Sequence, residues 1–386
     1  MKNTRDMREV FIAGIGLTKW GVYKDEDCYE FGGEAMLEAL ADAGMVWTDV
    51  QAAFCGSVYQ GTGSGHQAIK EIGLTGIPVV NVENACSSGG SALRLAYLMV
   101  AAEIYDVVIA MGMEKMPRGP IPSTAFRPWE LASGFNLQVA NYALETVEYM
   151  EQTGITEEDL ARVTVKNRKN GALNPKARFQ KPVTLEDVMN SRFVAAPLRL
   201  LHCCPLADGG AAAVLCSKDR LKSASRAVKI AASVLTSGVY GEGMPAAGIG
   251  KSLKFPPEMG IVELSAQLAY EASGCGPEDI DIVQGYDTTV PSEIWGMEKL
   301  GFCKKGEAAG LLRDGKFDLD GDLPVNTDGG LMSRGHPLGA TGLGQICELV
   351  TQLRHEAGPR QVKKARVGLA HAMGAGPNSS VTILKG

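Results

Sequence analysis

Short, continuously apolar runs alternate along this chain with longer runs in which apolar residues recur every three or four positions. Val10–Ile15 is of the first kind and predicts a buried strand, whereas Glu30–Ala43 has the spacing of a helix. The pattern continues with a strand predicted at Pro78–Val82, a helix at Ser87–Glu103 and a strand at Val107–Met111. Strands that alternate with helices are typical of an α/β fold with a covered sheet.

The C-terminal part of the chain repeats this order. The elements predicted there are a strand at Val228–Val234, a helix at Val262–Ser273, a strand at Ile280–Gln284, helices at Pro291–Leu300 and about Thr341–Glu356, and strands at Val367–Ala370 and Ser380–Leu384. In each part a turn of small residues opens a helix, at 85–90 and at 335–340. Each of those helices leads to a strand that ends in Ala-Met-Gly. These correspondences suggest an internal duplication.

The stretch between the two parts, roughly Pro117–Ala195, is more polar and more aromatic. A helix is predicted to start at Thr156, because the three acidic residues that follow this threonine are typical of a capped N-terminus. Six basic residues cluster in the same stretch, namely Lys166, Arg168, Lys169, Lys176, Arg178 and Lys181. They predict either a solvated face or a rim that attracts the phosphates of an anionic ligand.

Composition and charge exclude several classes of protein. The chain has 386 residues, is 45% hydrophobic and 21% charged, and so has ample apolar mass for a large core. Its net charge of −6 makes it a poor candidate for nucleic-acid binding. The longest apolar region, Leu93–Met113, contains Arg94, Glu103 and Asp106, which excludes a membrane span.

The nine cysteines are scattered and form no Cys-x-x-Cys pair, so a zinc-ribbon or thioredoxin interpretation has no support in this chain. No other residues have the spacing of metal ligands either, and we predict no metal site. We expect mostly buried, reduced thiols in a cytoplasmic protein.

Cys86 is the first residue with a chemical rather than a structural context. It follows a predicted buried strand and precedes a helix whose first turn is Ser87-Ser88-Gly89-Gly90. The unpaired N–H groups and the positive dipole end of a helix N-terminus favour the thiolate, which is the nucleophilic form. A backbone N–H at this turn can also hold an oxyanion. The alternative is that Cys86 is a small core residue.

His336 is the second such residue, within Gly335-His336-Pro337-Leu338-Gly339-Ala340-Thr341-Gly342. Pro337 restricts the backbone after the histidine, so the turn fixes the direction of the imidazole. A histidine in such a turn can activate a thiol or donate to a developing oxyanion. The alternative is a turn histidine exposed to water.

Together these motifs make the sequence resemble the thiolase family nearly end to end. The segment Asn84-Ala85-Cys86-Ser87-Ser88-Gly89 resembles the nucleophile motif, and residues 335–342 resemble the Gly-His-Pro motif. Residues 197–205, followed by 208–212, are similar to the structural segment that returns from the loop domain. Cys203 and Cys204 belong to this segment, and the resemblance therefore indicates a structural role for both.

The resemblance implies a fold and a domain organisation. The fold class is α/β, with duplicated βαβαβαββ halves in five αβαβα layers and a loop domain inserted in the first half. The N-terminal half would comprise residues 1–118 plus 196–222, the loop domain residues 119–195, and the C-terminal half residues 223–386. The chain looks most similar to the lipid-transfer-like, sterol-carrier-protein-type branch.

The resemblance also implies an activity. Cys86 would form a covalent acyl thioester during cleavage of a 3-oxoacyl-CoA, with coenzyme A as co-substrate and no permanently bound cofactor. His336 would activate the thiol or polarise the thioester carbonyl. A specialisation of the branch is the cleavage of bulky aromatic or branched substrates such as 2-benzoylsuccinyl-CoA.

The chain departs from the common pattern at a second reactive cysteine. The turn that usually contains it reads Gly374-Ala375-Gly376, and the His-Asp-Cys-Phe motif of the sterol-carrier type reads Tyr286-Asp287-Thr288-Thr289. Gly376 can still donate its backbone N–H to an oxyanion hole. Proton transfer would fall to Tyr286, to His371 or to a water held by His336, and His371 is otherwise a satisfied histidine at a strand end.

Other functions and the expected partners complete the prediction. A retro-aldolase acting on acyl-CoA is compatible with Tyr286 but not favoured by the intact Cys86 and His336. The absence of the second cysteine supports a non-catalytic subunit that binds acyl-CoA. A ketosynthase is the least supported interpretation. The resemblance implies a homodimer that pairs near Val79–Asn84 and a small partner built from a zinc ribbon and an OB-fold.

Overall fold

The computed structural model describes residues 7–119, 128–132, 134, 137–239, 259–375 and 377–386. Within these ranges no helix is long and apolar enough to span a bilayer, in line with the exclusion of Leu93–Met113 as a membrane span. That region forms a helix, a turn and a strand instead.

The strands of the described chain follow the predicted pattern and extend it. They are β1 (Val10–Leu17), β2 (Ala52–Gly56), β3 (Val79–Val82), β4 (Val107–Glu114), β5 (Phe193–Ala195), β6 (Leu198–Arg199), β7 (Gly209–Ser217), β8 (Val228–Ser237), β9 (Ile282–Gln284), β10 (Val367–Gly374) and β11 (Asn378–Lys385).

The helices of the described chain connect and cover these strands. They are α1 (Cys28–Ala43), α2 (Ser64–Lys70), α3 (Ser88–Ala101), α4 (Pro128–Ala132), α5 (Gln138–Thr153), α6 (Glu157–Ala172), α7 (Leu185–Met189), α8 (Ile261–Ser273), α9 (Val290–Lys299), α10 (Ala308–Arg313), α11 (Gly330–Ser333) and α12 (Thr341–Leu353).

The sheet topology confirms the internal duplication. The sheet order is β3-β2-β4-β7-β1-β8-β11-β10-β9, with parallel pairs at both ends and antiparallel pairs between them. A parallel bridge between Val283 and Val325 adds a further position beside β9. The second half thus repeats the order of the first, and the two halves join where β1 pairs with β8 through Phe11 and Ile12.

The five predicted layers are present in the packing. Helices α1 and α2 cover the outer face of the first half-sheet, and α8 covers the outer face of the second. Helices α3 and α12 lie between the half-sheets and contact strands of both. The loops that precede α3 and α12 contain the two candidate motifs, so this central layer brings them together.

Two buried strands were missed by the sequence analysis because their residues are small. β2 reads Ala-Ala-Phe-Cys-Gly and β7 begins Gly-Gly-Ala-Ala-Ala, and neither is rich in the β-branched or aromatic residues that mark strands. Close packing requires the small residues: a Cβ on Gly210 of β7 would lie 2.3 Å from the carbonyl oxygen of Phe31 in α1.

The inserted stretch contains helices α4 to α7 and strand β5, which pairs with β6 just beyond it, and α6 is capped by Thr156 as predicted. The solvated-face interpretation of its basic cluster is wrong for Lys166 and Arg168, which are buried. Lys166 Nζ lies 3.0 Å from Glu293 Oε1, and the Arg168 guanidinium stacks on the Phe179 ring.

Candidate active site

Cys86 lies in the tight connection between β3 and α3. The preceding residue, Ala85, has a φ of +49°, a left-handed conformation that costs a non-glycine residue about 1–2 kcal/mol. The Ser88 hydroxyl stabilises this turn: it donates to the Ala85 carbonyl and accepts from the Asn84 N–H. Strain of this kind persists where surrounding contacts fix it, commonly at functional sites.

The Cys86 thiol is protonated at neutral pH. Burial raises its pKa to about 11, against the opposing effects of a hydrogen bond from the Tyr286 hydroxyl and the local backbone N–H. The local backbone N–H at the helix N-terminus lowers the pKa, as expected, but burial outweighs its effect. A base must remove the proton before the sulfur can act as a nucleophile.

His336 has the protonation state that such a base requires. Its Nδ1 lies 2.7 Å from Thr341 Oγ1, whose single proton is donated to the Pro337 carbonyl oxygen at 2.8 Å. The hydroxyl must therefore accept from Nδ1–H, which leaves a lone pair on Nε2. Nε2 is buried and has no partner among the described residues. Burial, followed by the charge of Arg334, lowers the pKa of His336 to about 3, so the ring is neutral.

Tyr286 links the two motifs. Its hydroxyl hydrogen-bonds to the Cys86 sulfur, and its ring lies edge-on to the His336 ring, with 5.7 Å between the ring centroids. Burial raises its pKa well above the usual value, so it donates rather than removes a proton. The structure thus brings together three of the four predicted site residues, Cys86, His336 and Tyr286. Gly376 lies outside the described residues.

A buried glutamate fixes the His336 turn against the first half. Glu114, at the end of β4, accepts hydrogen bonds from the backbone N–H groups of Val58, Tyr59 and Gly339 and from the Gln60 side chain. Burial raises its pKa although these donors oppose the shift. Sequence analysis missed Glu114 because its partners lie in two segments, residues 58–60 and Gly339, that are distant from it along the chain.

Asp287, in the second half, also fixes a segment by accepting backbone hydrogen bonds. It accepts from the N–H groups of Leu331 and Met332 in α11 and from the Asn167 side chain. Burial, followed by the nearby Glu293, raises its pKa to about 7. Asp287 thereby holds the segment that leads into the His336 turn.

A cavity of about 440 Å³ opens beside Tyr286. Aromatic side chains from α5 and α9 line it, namely Tyr142, Tyr149 and Trp295. His371 also lines it, and its buried Nε2 has no partner among the described residues, so the interpretation of a satisfied strand-end histidine is wrong. Burial lowers the pKa of His371 to about 3, and a neutral ring here is a poor proton source.

Cys204 is also near this site. With Cys86, it packs against the cluster of Tyr286, Leu331 and Ala372, and its Sγ lies 3.4 Å from Thr288 Oγ1. Its backbone N–H donates to the Thr288 carbonyl oxygen. Cys204 thus lies beside Tyr286, a position that sequence analysis did not predict. The sequence signal was the Cys203-Cys204-Pro205 segment, whose proximity to residue 288 appears only in the fold.

Comparison with known families decides the assignment of the chain. The family model described as "Thiolase, N-terminal domain" matches residues 10–219, and "Thiolase C-terminal domain-like" matches residues 257–386. This chain belongs to the thiolase family. It is accordingly an acyltransferase, as the resemblance implied.

Curated relatives agree with this assignment. The chain is 39% identical to the benzoylsuccinyl-CoA thiolase subunit BbsB of Thauera aromatica, over 96% of this chain and 95% of the relative. It is 38% identical to the acetyl-CoA acetyltransferase of Methanothermobacter thermautotrophicus, over 95% and 97% respectively. It is also 38% identical to bovine sterol carrier protein 2, over 97% of this chain and 72% of the relative.

A solved structure titled "Ltp2-ChsH2(DUF35) aldolase" shares the fold of this thiolase-family chain. It matches with a TM-score of 0.86 and 30% identity, over 98% of both chains. The predicted thiolase fold and the similarity to the sterol-carrier-protein branch are confirmed. Metal-ligating groups of three or more histidine, cysteine or acidic side chains are not found within the described ranges.

Proposed function

We propose that this thiolase-family enzyme cleaves a 3-oxoacyl-CoA with CoA through an acyl thioester on Cys86. One observation carries the proposal: the Cys86 thiol hydrogen-bonds to Tyr286, and the His336 ring, whose buried Nε2 has no partner among the described residues, packs edge-on against the same tyrosine. The thiol needs a base, and Nε2 of His336 has the lone pair to act as one.

The first chemical step follows from these protonation states. Nε2 of His336 takes the Cys86 proton, and the sulfur attacks the 3-oxo carbon of the substrate. The resulting oxyanion needs donors, for which the His336 imidazolium and, as we propose, the backbone N–H of Gly376 are available. Collapse of this adduct breaks the bond between carbons 2 and 3, leaving the acyl group on sulfur and the electron pair on carbon 2.

The second step transfers the acyl group to CoA. The CoA sulfur attacks the thioester carbonyl, the Cys86 sulfur leaves, and it regains its proton from His336. The Tyr286 hydroxyl, which donates to Cys86 in the free site, stabilises negative charge on this sulfur as it arrives and leaves.

We further propose that the acyl group is bulky and aromatic or branched, as in 2-benzoylsuccinyl-CoA. The cavity of about 440 Å³ with its aromatic lining supports this class. The BbsB relative also supports it, whereas the acetyltransferase relative at 38% identity makes acetoacetyl-CoA the competing substrate.

The basic rim suits the phosphates of CoA. Arg168 and Arg178 both stack on the Phe179 ring, at 3.9 and 4.9 Å from its centroid. Neither guanidinium forms a salt bridge within the described part of the chain, although the charge of Asp208 acts on Arg178. Paired arginines without a carboxylate are suited to bidentate binding of phosphate.

We propose a homodimer that pairs near the edge strand β3, and a small partner subunit with a zinc ribbon and an OB-fold. The names of two relatives, "subunit BbsB" and "Ltp2-ChsH2(DUF35) aldolase", support association with a second protein. The nine cysteines are free, which supports a reducing compartment such as the cytoplasm.

The test is to incubate the enzyme with 3-oxo-3-phenylpropionyl-CoA or acetoacetyl-CoA and to identify the adduct on the Cys86 peptide by mass. We expect a benzoyl adduct that free CoA removes, with kcat/KM at least about 10-fold above that for acetoacetyl-CoA. Cys86→Ala should lower thiolysis by about 10⁴-fold or more, because no nucleophile remains. Full thiolysis activity in Cys86→Ala would contradict the proposal.

Two other functions predict different outcomes of the same experiment. A retro-aldolase, favoured by the aldolase neighbour, would release a free carbonyl product without consuming CoA. A non-catalytic subunit would bind the CoA esters but give no adduct and no turnover, even after the partner is added. The intact Cys86 and His336 favour the thiolase function over both.

A further inference from the structure

The proposed cleavage leaves one proton unassigned. When the bond between carbons 2 and 3 breaks, carbon 2 of the departing acyl-CoA holds an electron pair and must be protonated. In the second step the incoming CoA thiol must lose its proton. His336 already holds the proton of Cys86 through both steps, so a second group has to serve carbon 2 and CoA.

Cys204 is the thiol positioned for this task. It is only partly buried, as are Cys86 and Cys203, and it packs against the same Tyr286 cluster as Cys86. The Thr288 hydroxyl, 3.4 Å from Sγ, holds the side chain in place. A second feature marks this cluster as a ligand site: the buried Nε2 of His336, on the ring that packs against Tyr286, has no partner among the described residues.

The other nearby groups are less suited. The Tyr286 hydroxyl is hydrogen-bonded to the Cys86 sulfur. His371 is a neutral ring whose pKa is strongly lowered. Burial raises the pKa of Cys204 above its usual value, which keeps its thiol protonated before substrate binds, as a catalytic acid requires. The raised pKa also makes the Cys204 thiolate the stronger base, so it can take the proton of the CoA thiol.

Resting on the proposed function, we propose that Cys204 is the catalytic acid and base that serves carbon 2 and CoA. Its S–H proton moves to carbon 2 as the bond between carbons 2 and 3 breaks, which leaves a Cys204 thiolate. That thiolate then takes the proton of CoA, whose sulfur attacks the acyl group on Cys86. Cys204 ends the cycle as a thiol, and no oxidant or reductant is required.

The experiment uses acetyl-CoA in D₂O and measures two quantities in each variant. Acetylation of the Cys86 peptide, read by mass, reports the nucleophile and the folded site. Deuterium entering the acetyl methyl group, read by NMR, reports proton transfer at carbon 2. The variants are Cys204→Ala, the double variant Cys204→Ala with Thr288→Cys, and the control Cys203→Ala, which removes the adjacent half-buried thiol.

We expect Cys204→Ala to reach the same final extent of Cys86 acetylation, more slowly because Cys204 also serves CoA, and to lose about 100-fold or more of the deuterium exchange, the usual contribution of a positioned acid or base. Thr288→Cys places a sulfur within 3.4 Å of the lost one and should restore exchange at least about 10-fold. Cys203→Ala should behave as the unmodified enzyme.

Three results would overturn the inference. Exchange in Cys204→Ala within threefold of the unmodified enzyme, while Cys86 is still acetylated, assigns proton transfer elsewhere. Failure of Thr288→Cys to restore exchange gives Cys204 a merely structural role. Absence of any Cys86 adduct in the unmodified enzyme would instead remove the proposed function itself, and this inference with it.

Discussion

At the scale of single residues, burial rather than the helix dipole sets the charge of the reactive groups. The sequence placed Cys86 at a helix N-terminus, where a lowered pKa is expected, yet the pKa is raised to about 11. The cost of burying a charged thiolate exceeds the contribution of the helix end, typically about 0.3–1 kcal/mol. The residues themselves were predictable from their motifs, but their charge states depend on neighbours from distant segments.

The charge state of Cys86 predicts the pH dependence of its alkylation. Only the thiolate reacts, and it forms as the pH rises through the pKa, so labelling of the Cys86 peptide by iodoacetamide should rise about tenfold per pH unit between pH 7 and pH 10. Tyr286→Phe should slow labelling at each pH, because it removes a donor that stabilises the thiolate. The measurement is quantitative mass spectrometry of the peptide. A plateau below pH 8 would contradict the raised pKa.

The same limit explains why sequence analysis did not place Cys204 beside Tyr286. In the sequence it stands 82 residues before Tyr286, inside a segment that resembles a structural motif. Only the antiparallel bridge between Cys203 and Thr289 brings its sulfur to the site. No local pattern encodes such a long-range register.

At the scale of elements, glycines allow the His336 turn to reach the first half. Gly339 packs where a Cβ would lie 2.5 Å from the Met113 carbonyl oxygen and 2.6 Å from that of Gly56. A Cβ on Gly112 would lie 2.2 Å from the Gly339 carbonyl oxygen. These are backbone atoms in strand ends and a turn, and they cannot move aside without disturbing both motifs.

The close approach predicts the effect of Gly339→Ala. We expect it to cost about 1–3 kcal/mol of unfolding free energy and to lower kcat at least about 10-fold, because His336 lies three residues away. Gly310→Ala is the matched control, since a Cβ there meets nothing within 4 Å in helix α10 and alanine favours the helix. Chemical denaturation and thiolysis assays check both, and unchanged activity in Gly339→Ala would contradict the packing argument.

Elements with strong periodicity were predicted to within a few residues, whereas strands built from small residues were not. The predicted helix Val262–Ser273 is observed as Ile261–Ser273, and the strand Val228–Val234 extends to Ser237. β2 and β7 lacked this signal because both of their faces are packed tightly, which selects alanine and glycine instead of the usual strand formers.

At the scale of the whole molecule, three buried histidines are uncharged in the folded protein. Burial lowers the pKa of His202 to about 4, and those of His336 and His371 to about 3. All three are neutral in the folded protein at pH 5, whereas in the unfolded chain they bind protons below about pH 6.5. Each therefore stabilises the fold fully above pH 6.5 and progressively less as the pH falls toward its folded-state pKa.

We therefore predict that stability falls between pH 7 and pH 5. Each imidazole contributes up to about 1.4 kcal/mol per pH unit, partly offset by Asp287, whose raised pKa of about 7 lets the folded state take up a proton. Urea midpoints at pH 7, 6 and 5 provide the measurement. His202→Phe, outside the candidate site, should flatten the decline, and an unchanged midpoint between pH 7 and pH 5 would contradict the prediction.

The duplicated sheet order also has a consequence for biosynthesis. The nucleophile belongs to the first repeat and the imidazole follows 250 residues later. A nascent chain that contains only the first repeat therefore has the Cys86 thiol but not the His336 base. The active site is complete only when the second repeat packs against the first. Enzymatic turnover should accordingly be the last property that a newly made polypeptide acquires.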